Sequence, residues 1–290
     1  MGTDTVDFTV EDVDILTSGD REMMLRLFKP AGGRSTKSLG GAVLDLHGGV
    51  WNNGSREGCT ARDTYLAGAG ILAASLEYRH ADEGYPTSLI DINYAVRWLK
   101  ANARDLDIDP RCIGICGQSS GGHLAMLAAM RPFDPRYALL PLRDDAPDID
   151  ATVACVGMAW PVINPLSRYR HALRIRKTDP SAAWVKDIPE CHDRYWKTET
   201  AMAEGNPVLA LEAGEPVQTP PTLWIQGQPD PQHDYRDPDS PLDLNEPERF
   251  VQDYRQAGGE IEILHIEQAR KETPDSYGPF AAFFRKHLMA

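Results

Sequence analysis

The chain has 290 residues, 42% of them hydrophobic and 25% charged, enough for one large α/β domain with an ample core. The 30 Lys and Arg against 43 Asp and Glu leave a net charge of −13, which speaks against nucleic acid and anionic membranes as partners. Met1–Asp7 is acidic without an apolar stretch, and no run approaches the length of a membrane span, so a cytoplasmic protein is expected.

Residues 6 to 29 alternate apolar and polar around Gly19-Asp20 and predict an antiparallel hairpin of Val6–Leu16 and Met23–Phe28. Ala42–Leu46 reads as a buried strand, Arg62–Ala69 as the first helix and Ile71–Tyr78 as a second buried strand. Ser88–Arg104 is a long amphipathic helix, and Asp109-Pro110 turns into a strand over Ile113–Cys116. Arg131–Ile149 is rich in Pro and Asp and irregular, and Ala151–Ala159 is the next strand. Leu166–Asn206 is polar, aromatic and helical in pattern. It reads as a cap inserted in a single domain over 1–290, with a surface insertion lacking a ligand role as the alternative. Strands follow at Thr222–Gln226 and Glu260–Ile266, and helices at Glu246–Ala257 and Gly278–Leu288. The five cysteines form no C-x-x-C pair and read as free thiols.

Two motifs carry chemistry. Ile113–Cys116 ends in Gly117-Gln118-Ser119-Ser120-Gly121, and an Ala/Leu/Met-rich helical run follows from Gly122 to Met130. Strand, G-x-S-x-G and helix are the context of a nucleophile elbow, in which a strained turn lifts the serine hydroxyl out of the sheet. The turn leaves no room for side chains two before and two after Ser119, where glycines stand. Earlier, His47-Gly48-Gly49-Val50-Trp51 follows the Ala42–Leu46 strand. Its glycines let backbone N–H groups point at a developing oxyanion, with a further one from the residue after the nucleophile.

At these residues the chain resembles the α/β-hydrolase fold, most closely the hormone-sensitive-lipase-like esterases and the related feruloyl-esterase and kynurenine-formamidase-like group. The resemblance is carried by His47–Trp51, Glu77–Arg79, Tyr85-Pro86, Asp91–Leu99, Asp109-Pro110 and Gly117–Ala125, and more weakly by Pro221–Gly227. It implies about eight strands, mostly parallel, with helices on both faces and a small helical cap. It also implies Ser119 as nucleophile, with Gly48, Gly49 and Ser120 as oxyanion donors. Val50 replaces the third glycine of the usual lipase motif. The family places the triad acid after the strand at 222–226 in a G-x-x-D pattern, which Asp230 matches.

The family histidine lies just past the last strand, but this chain reads Glu267-Gln-Ala-Arg-Lys-Glu-Thr-Pro-Asp-Ser-Tyr277 there, without one. Of the eight histidines, His233 is the best substitute, three residues past Asp230 in an expanded, Pro- and Asp-rich loop. His265, a histidine of the cap, or no catalytic histidine remain open. Trp51 and Trp160 are candidates for contacting an aromatic or medium-sized apolar substrate. No histidine pair stands at i, i+4 with a carboxylate, so no metal is expected, nor any cofactor.

The first functional reading is therefore a serine hydrolase of the carboxylesterase kind, taking a small-molecule ester or related acyl substrate through an acyl-enzyme. A homodimer is compatible with it. Two alternatives stand beside it: a lyase, decarboxylase or acyltransferase on the same scaffold, and a ligand receptor without catalysis.

Overall fold

The computed structural model describes residues 6–18, 21–31, 40–142 and 148–289. Eight strands form one sheet in the order β1-β2-β4-β3-β5-β6-β7-β8. The amino-terminal hairpin pairs β1 (Phe8–Ser18) with β2 (Arg21–Pro30), and β2 runs antiparallel to β4 (Leu72–Leu76). From β4 through β3 (Gly40–Leu46), β5 (Ile108–Gln118), β6 (Cys155–Ala159), β7 (Thr222–Gln228) and β8 (Ile261–Glu267), every pair is parallel. The hairpin tip at Gly19-Asp20 lies outside the described residues.

The middle parallel strands are largely apolar and buried because helices cover both faces, whereas the edge strand β8 keeps Glu262, His265 and Glu267 exposed. Alternation within each strand sorts the core in two. Ala42, Leu44 and Leu46 of β3 pack with Leu89 and Ile92 of α2 (Thr87–Ala101), Leu124 of α3 (Ser120–Met130) and Phe250 of α8 (Glu246–Gln256). Val43 faces the other way, toward Leu66 of α1 (Thr60–Gly68) and Phe280 and Phe284 of α9 (Pro274–Leu288). Between β6 and β7 the chain forms α4 (Pro165–Thr178), α5 (Ile188–Trp196), α6 (Glu199–Glu204) and α7 (Pro207–Glu212). Asn164 and Asn206 cap α4 and α7, each followed by a proline at the first helical position. They are tied to each other by a 2.7 Å bond from the Asn206 amide to the Asn164 side-chain oxygen.

Two expectations are corrected. Asp109-Pro110 does not precede the elbow strand but lies inside β5. The ladder to β3 pairs Gly40 with Ile108 and then Ala42 with Ile113, so the turn-forming residues bulge from an otherwise continuous strand. The strand expected over Ala151–Ala159 is confined to Cys155–Ala159, because only those residues pair with β5 and β7.

A buried ion pair anchors α1 beneath the elbow. The Arg62 guanidinium meets both oxygens of Asp45 on β3, at 2.5 and 2.6 Å, and its Nη1 donates to Gln118 Oε1 at 3.1 Å. Arg62 and Asp45 are both buried, and neither oxygen of neighbouring Asp63 has a hydrogen bond among the described residues. Burial pushes the Asp63 carboxyl well above the usual carboxylate range, so Arg62 serves Asp45. Arg62→Met strands Asp45 without its cation and should lower unfolding free energy by about 3–5 kcal/mol in urea titrations at neutral pH.

Candidate active site

The site is built from the sheet's carboxyl-terminal edge. β5 ends at Gln118, and α3 begins at Ser120, leaving Ser119 at φ 51° and ψ −117°. Side-chain-bearing residues avoid such a backbone, and it persists only where its surroundings impose it. Here the Ser119 N–H donates to the Ala159 carbonyl at 2.9 Å, and the Ser119 carbonyl accepts from Val162 at 3.1 Å and His123 at 3.1 Å. The flanking glycines are sterically required. A Cβ on Gly117 would lie 2.4 Å from the Gly121 carbonyl carbon, and one on Gly121 would lie 2.3 Å from the Leu46 and His47 carbonyl oxygens.

That last contact also fixes the His47–Trp51 loop beside the elbow. A Cβ on Gly48 would stand 3.5 Å from the Ser119 Cβ. Gly49 sits at φ 116°, with its carbonyl accepting from Asn52 and Asn53 at 2.9 Å each. Among the described residues, the N–H groups of Gly48, Gly49 and Ser120 donate to no protein acceptor. Val50 has φ 56°, a conformation glycine adopts more readily than a β-branched residue.

On the other side of Ser119 stand two groups from the loop after β7. The Ser119 Oγ is 3.3 Å from His233 Nε2, and His233 Nδ1 is 2.9 and 3.0 Å from the two oxygens of Asp230. The backbone closes a turn to make this pair, with His233 and Asp234 N–H groups donating to the Asp230 carbonyl at 3.1 and 2.8 Å. An ionised Asp230 only accepts, so His233 carries its proton on Nδ1 and turns the Nε2 lone pair to Ser119. His233 is 7% exposed and Asp230 4% exposed.

Sequence reasoning missed Lys271. It stands in the loop after β8, where the family histidine was expected, and its ammonium donates to Asp230 Oδ2 at 2.5 Å. Gln226 donates to the same oxygen at 3.2 Å. The Lys271 ammonium also lies 4.7 Å from the centre of the Trp160 ring, a favourable cation–π position. Gly227 makes room for it, since a Cβ there would meet Lys271 Cε at 2.4 Å. Nothing local in the sequence marks Lys271 for this contact, since Arg270 stands beside it in the same loop.

These contacts set the proton affinities. Burial works to raise the Asp230 carboxyl, but the bonds and charges of His233 and Lys271 outweigh it and hold the group below the usual carboxylate range. Burial is the main influence on His233, assisted by the Arg168 and Lys271 charges and opposed by Asp230, and brings it down to about 4.

Both tryptophans proposed for substrate contact are corrected. Trp51 is 1% exposed; its indole N–H donates to His123 Nδ1 at 3.2 Å, and Tyr195 and Trp196 of α5 cover its ring. It is packed into the core under the Gly48-Gly49 loop. Trp160 is 5% exposed and offers its ring to Lys271 rather than to a ligand. Two other histidines have different surroundings. His123 is buried and bonded to the Gly205 carbonyl at 2.8 Å, and His265 is exposed on β8.

With this geometry in view, the comparisons with known proteins follow. The BD-FAE family model matches residues 27–238, the greater part of the chain. The chain belongs to the BD-FAE family. Among curated proteins it is 36% identical over 97 residues to "Probable carboxylic ester hydrolase LipM" of Mycobacterium tuberculosis, covering 33% of this chain and 22% of that protein. It is 36% identical over 119 residues to "Esterase LipC" of the same organism, covering 40% of this chain and 29% of that protein. The aligned stretches thus span less than a third of those relatives' length. Among solved structures it is similar to an esterase of Pyrobaculum calidifontis at TM-score 0.73 and 21% identity, covering 96% of this chain and 85% of that one. That likeness shows the α/β-hydrolase fold, as does the sheet of this BD-FAE member. No helix among its described residues is long and apolar enough to cross a membrane.

The elbow packing gives a stability test. Gly121→Ala should lower unfolding free energy by about 1–3 kcal/mol through overpacking. Gly58→Ala, whose Cβ would meet nothing closer than 3.8 Å, should lower it far less. Equal denaturation midpoints for the two variants would refute the steric account.

Proposed function

We propose that this protein is a carboxylesterase that cleaves a small-molecule ester through an acyl-enzyme on Ser119, with His233 as general base and Asp230 as its orienting acid. The observation that carries this reading is the continuous chain from Ser119 Oγ to His233 Nε2 at 3.3 Å and from His233 Nδ1 to Asp230 at 2.9 Å. This chain supports His233 in the role that the absent family histidine would fill. The esterase names of the curated relatives agree with it.

In this mechanism the His233 imidazole takes the Ser119 proton as Oγ attacks the ester carbonyl. The carbonyl oxygen becomes an oxyanion, held by the N–H groups of Gly48, Gly49 and Ser120, which have no acceptor of their own among the described residues. The imidazolium then protonates the departing alkoxide, leaving an acyl-Ser119. Water, deprotonated by the same imidazole, attacks the acyl group and releases the acid. Asp230 stabilises the imidazolium in both halves. Its position depends on Lys271, which neutralises it and fixes one oxygen through a 2.5 Å bond. We take Lys271 as a positioning residue that occupies the family histidine's loop. Residues 166–206, helical over most of their length between β6 and β7, are read as a cap over this site within a single domain.

Ser119→Ala should abolish turnover of p-nitrophenyl butyrate and labelling by a fluorophosphonate. His233→Ala should lower kcat by on the order of 10² or more, with the double variant little worse than either. A stoichiometric label on wild-type Ser119 together with native turnover by His233→Ala would remove His233 as the base.

The pH profile carries a second test. The base acts when neutral, and its pKa is lowered, so kcat/KM should fall on the acid side only near about pH 4. Lys271 is one of the charges that lower it. Lys271→Met removes that charge, raises the imidazole's affinity for a proton and should move the acid limb to higher pH. A limb that stays in place in Lys271→Met would show that Lys271 does not act on the base.

A further inference from the structure

Arg168 stands out among the buried charges of this molecule. It is 2% exposed on α4, and its Nε and Nη1 atoms have no hydrogen-bond partner among the described residues. The other deeply buried guanidinium, Arg62, meets Asp45 with two bonds. A buried guanidinium without a bonded carboxylate carries a large desolvation cost, which the Trp184 ring and the more distant Asp230 charge offset only in part at Arg168.

The position of α4 places this cation at the site. The segment that enters α4 leaves the nucleophile directly: Val162 donates to the Ser119 carbonyl, and Asn164 caps the helix. One helical turn beyond Arg168 on the same face, His171 lies 3.2 Å from the Pro231 carbonyl oxygen and stacks on Tyr235 with ring centres 3.9 Å apart. Pro231 and Tyr235 flank His233. Arg168 therefore shares a helix face with the residue that packs on the loop carrying His233. Trp184 closes the far side, with its ring centre 5.8 Å from the Arg168 Cζ and 5.4 Å from the His171 ring. The proximity also appears in the electrostatics: Arg168 is among the charges that lower the proton affinity of His233, and Asp230 is among those that act on Arg168. Asp230 is already occupied by His233, Lys271 and Gln226.

The geometry points to Arg168 as the receptor for a carboxylate on the substrate, which makes the preferred ester an acidic one, such as the half-ester of a dicarboxylic acid. This rests on the reading of Ser119 as the nucleophile that attacks that ester. The planar guanidinium matches a carboxylate with two parallel hydrogen bonds, and it stays charged in a buried site where a lysine would tend to lose its proton. Burial of Arg168 against the Trp184 ring strengthens such a pair by lowering the local dielectric.

The test compares the mono-p-nitrophenyl ester of glutaric acid with p-nitrophenyl pentanoate, two substrates of similar length that differ in the terminal carboxylate. Wild-type kcat/KM should favour the acidic ester, and Arg168→Met should lower the acidic-to-neutral ratio at least tenfold, as expected for loss of a charged hydrogen-bonded contact worth about 1.5–3 kcal/mol. Arg168→Lys should recover part of the ratio. A ratio unchanged in Arg168→Met, with both esters slowed alike, would make Arg168 structural and overturn the proposal. Binding separates this from the nucleophile assignment. Ser119→Ala should bind monomethyl glutarate more tightly than methyl pentanoate by calorimetry, and Ser119→Ala/Arg168→Met should lose that difference. If wild type turns over neither ester but this binding difference is present, the hydrolase reading fails and the carboxylate site stands. If the binding difference is absent, the carboxylate site fails whatever the turnover.

Discussion

The backbone of Ser119 is the constraint around which the rest of the molecule is arranged. At φ 51° and ψ −117° it costs about 1–3 kcal/mol relative to a relaxed turn. Three backbone hydrogen bonds to two neighbouring elements and its own helix hold it there. The close approach of Gly117 to Gly121, and of Gly121 to the end of β3, removes every alternative path for the chain. The same approach sets the distance between the serine and the Gly48-Gly49 loop. Strain at Ser119 and the register of the Gly48-Gly49 loop are therefore one structural fact, carried by β3, β6 and the buried carboxyl-terminal half of β5.

Asp230 is the second hub, and it works by charge rather than by shape. Its two oxygens receive His233, Lys271 and Gln226 from three different stretches of chain. With Lys271 in place the carboxylate is neutralised before the imidazole is considered. The attraction that would raise the imidazole's proton affinity is thereby weakened, and burial prevails. As the proposed base, His233 is therefore neutral across physiological pH. Its availability is complete, while its driving force as a proton acceptor is modest, and the compensation has to come from the imidazolium's contact with Asp230 in the transition state.

Much of this was legible in the sequence. The elbow was readable because its steric demands leave a local signature: an apolar run, two glycines at fixed offsets and a helix-forming run. The alternation of strands and helices gave the sheet for the same local reason. The position of Lys271 was not readable, because a single lysine in a polar loop differs in no local way from the other surface cations. Its role arises only where β7 and β8 lie side by side and bring residues 41 apart into contact. Trp51 misled for a related reason. Aromatic residues beside a glycine loop suit a substrate pocket or a core equally, and α5, far along the chain, decides which. Asp109-Pro110 misled because a turn-forming pair can bulge out of a strand without ending it.

The charge of the whole chain and the charge at the site run in opposite directions. The sequence carries −13, yet the buried Asp230 carboxylate has two cations around it, the half-buried Lys271 and the buried Arg168. The nearby Glu272 is exposed and is screened by water. His233 cannot redress this balance, since burial keeps it neutral, and its protonation during catalysis would add a third positive charge. Under the proposed acyl-enzyme mechanism, a site of this kind favours the oxyanion formed on attack by Ser119, because that is where negative charge first enters it. It also favours a substrate that brings a negative charge of its own. The acidic surface then opposes capture of such a substrate at long range while the site holds it at short range, so selection for it rests on the buried contact and not on steering.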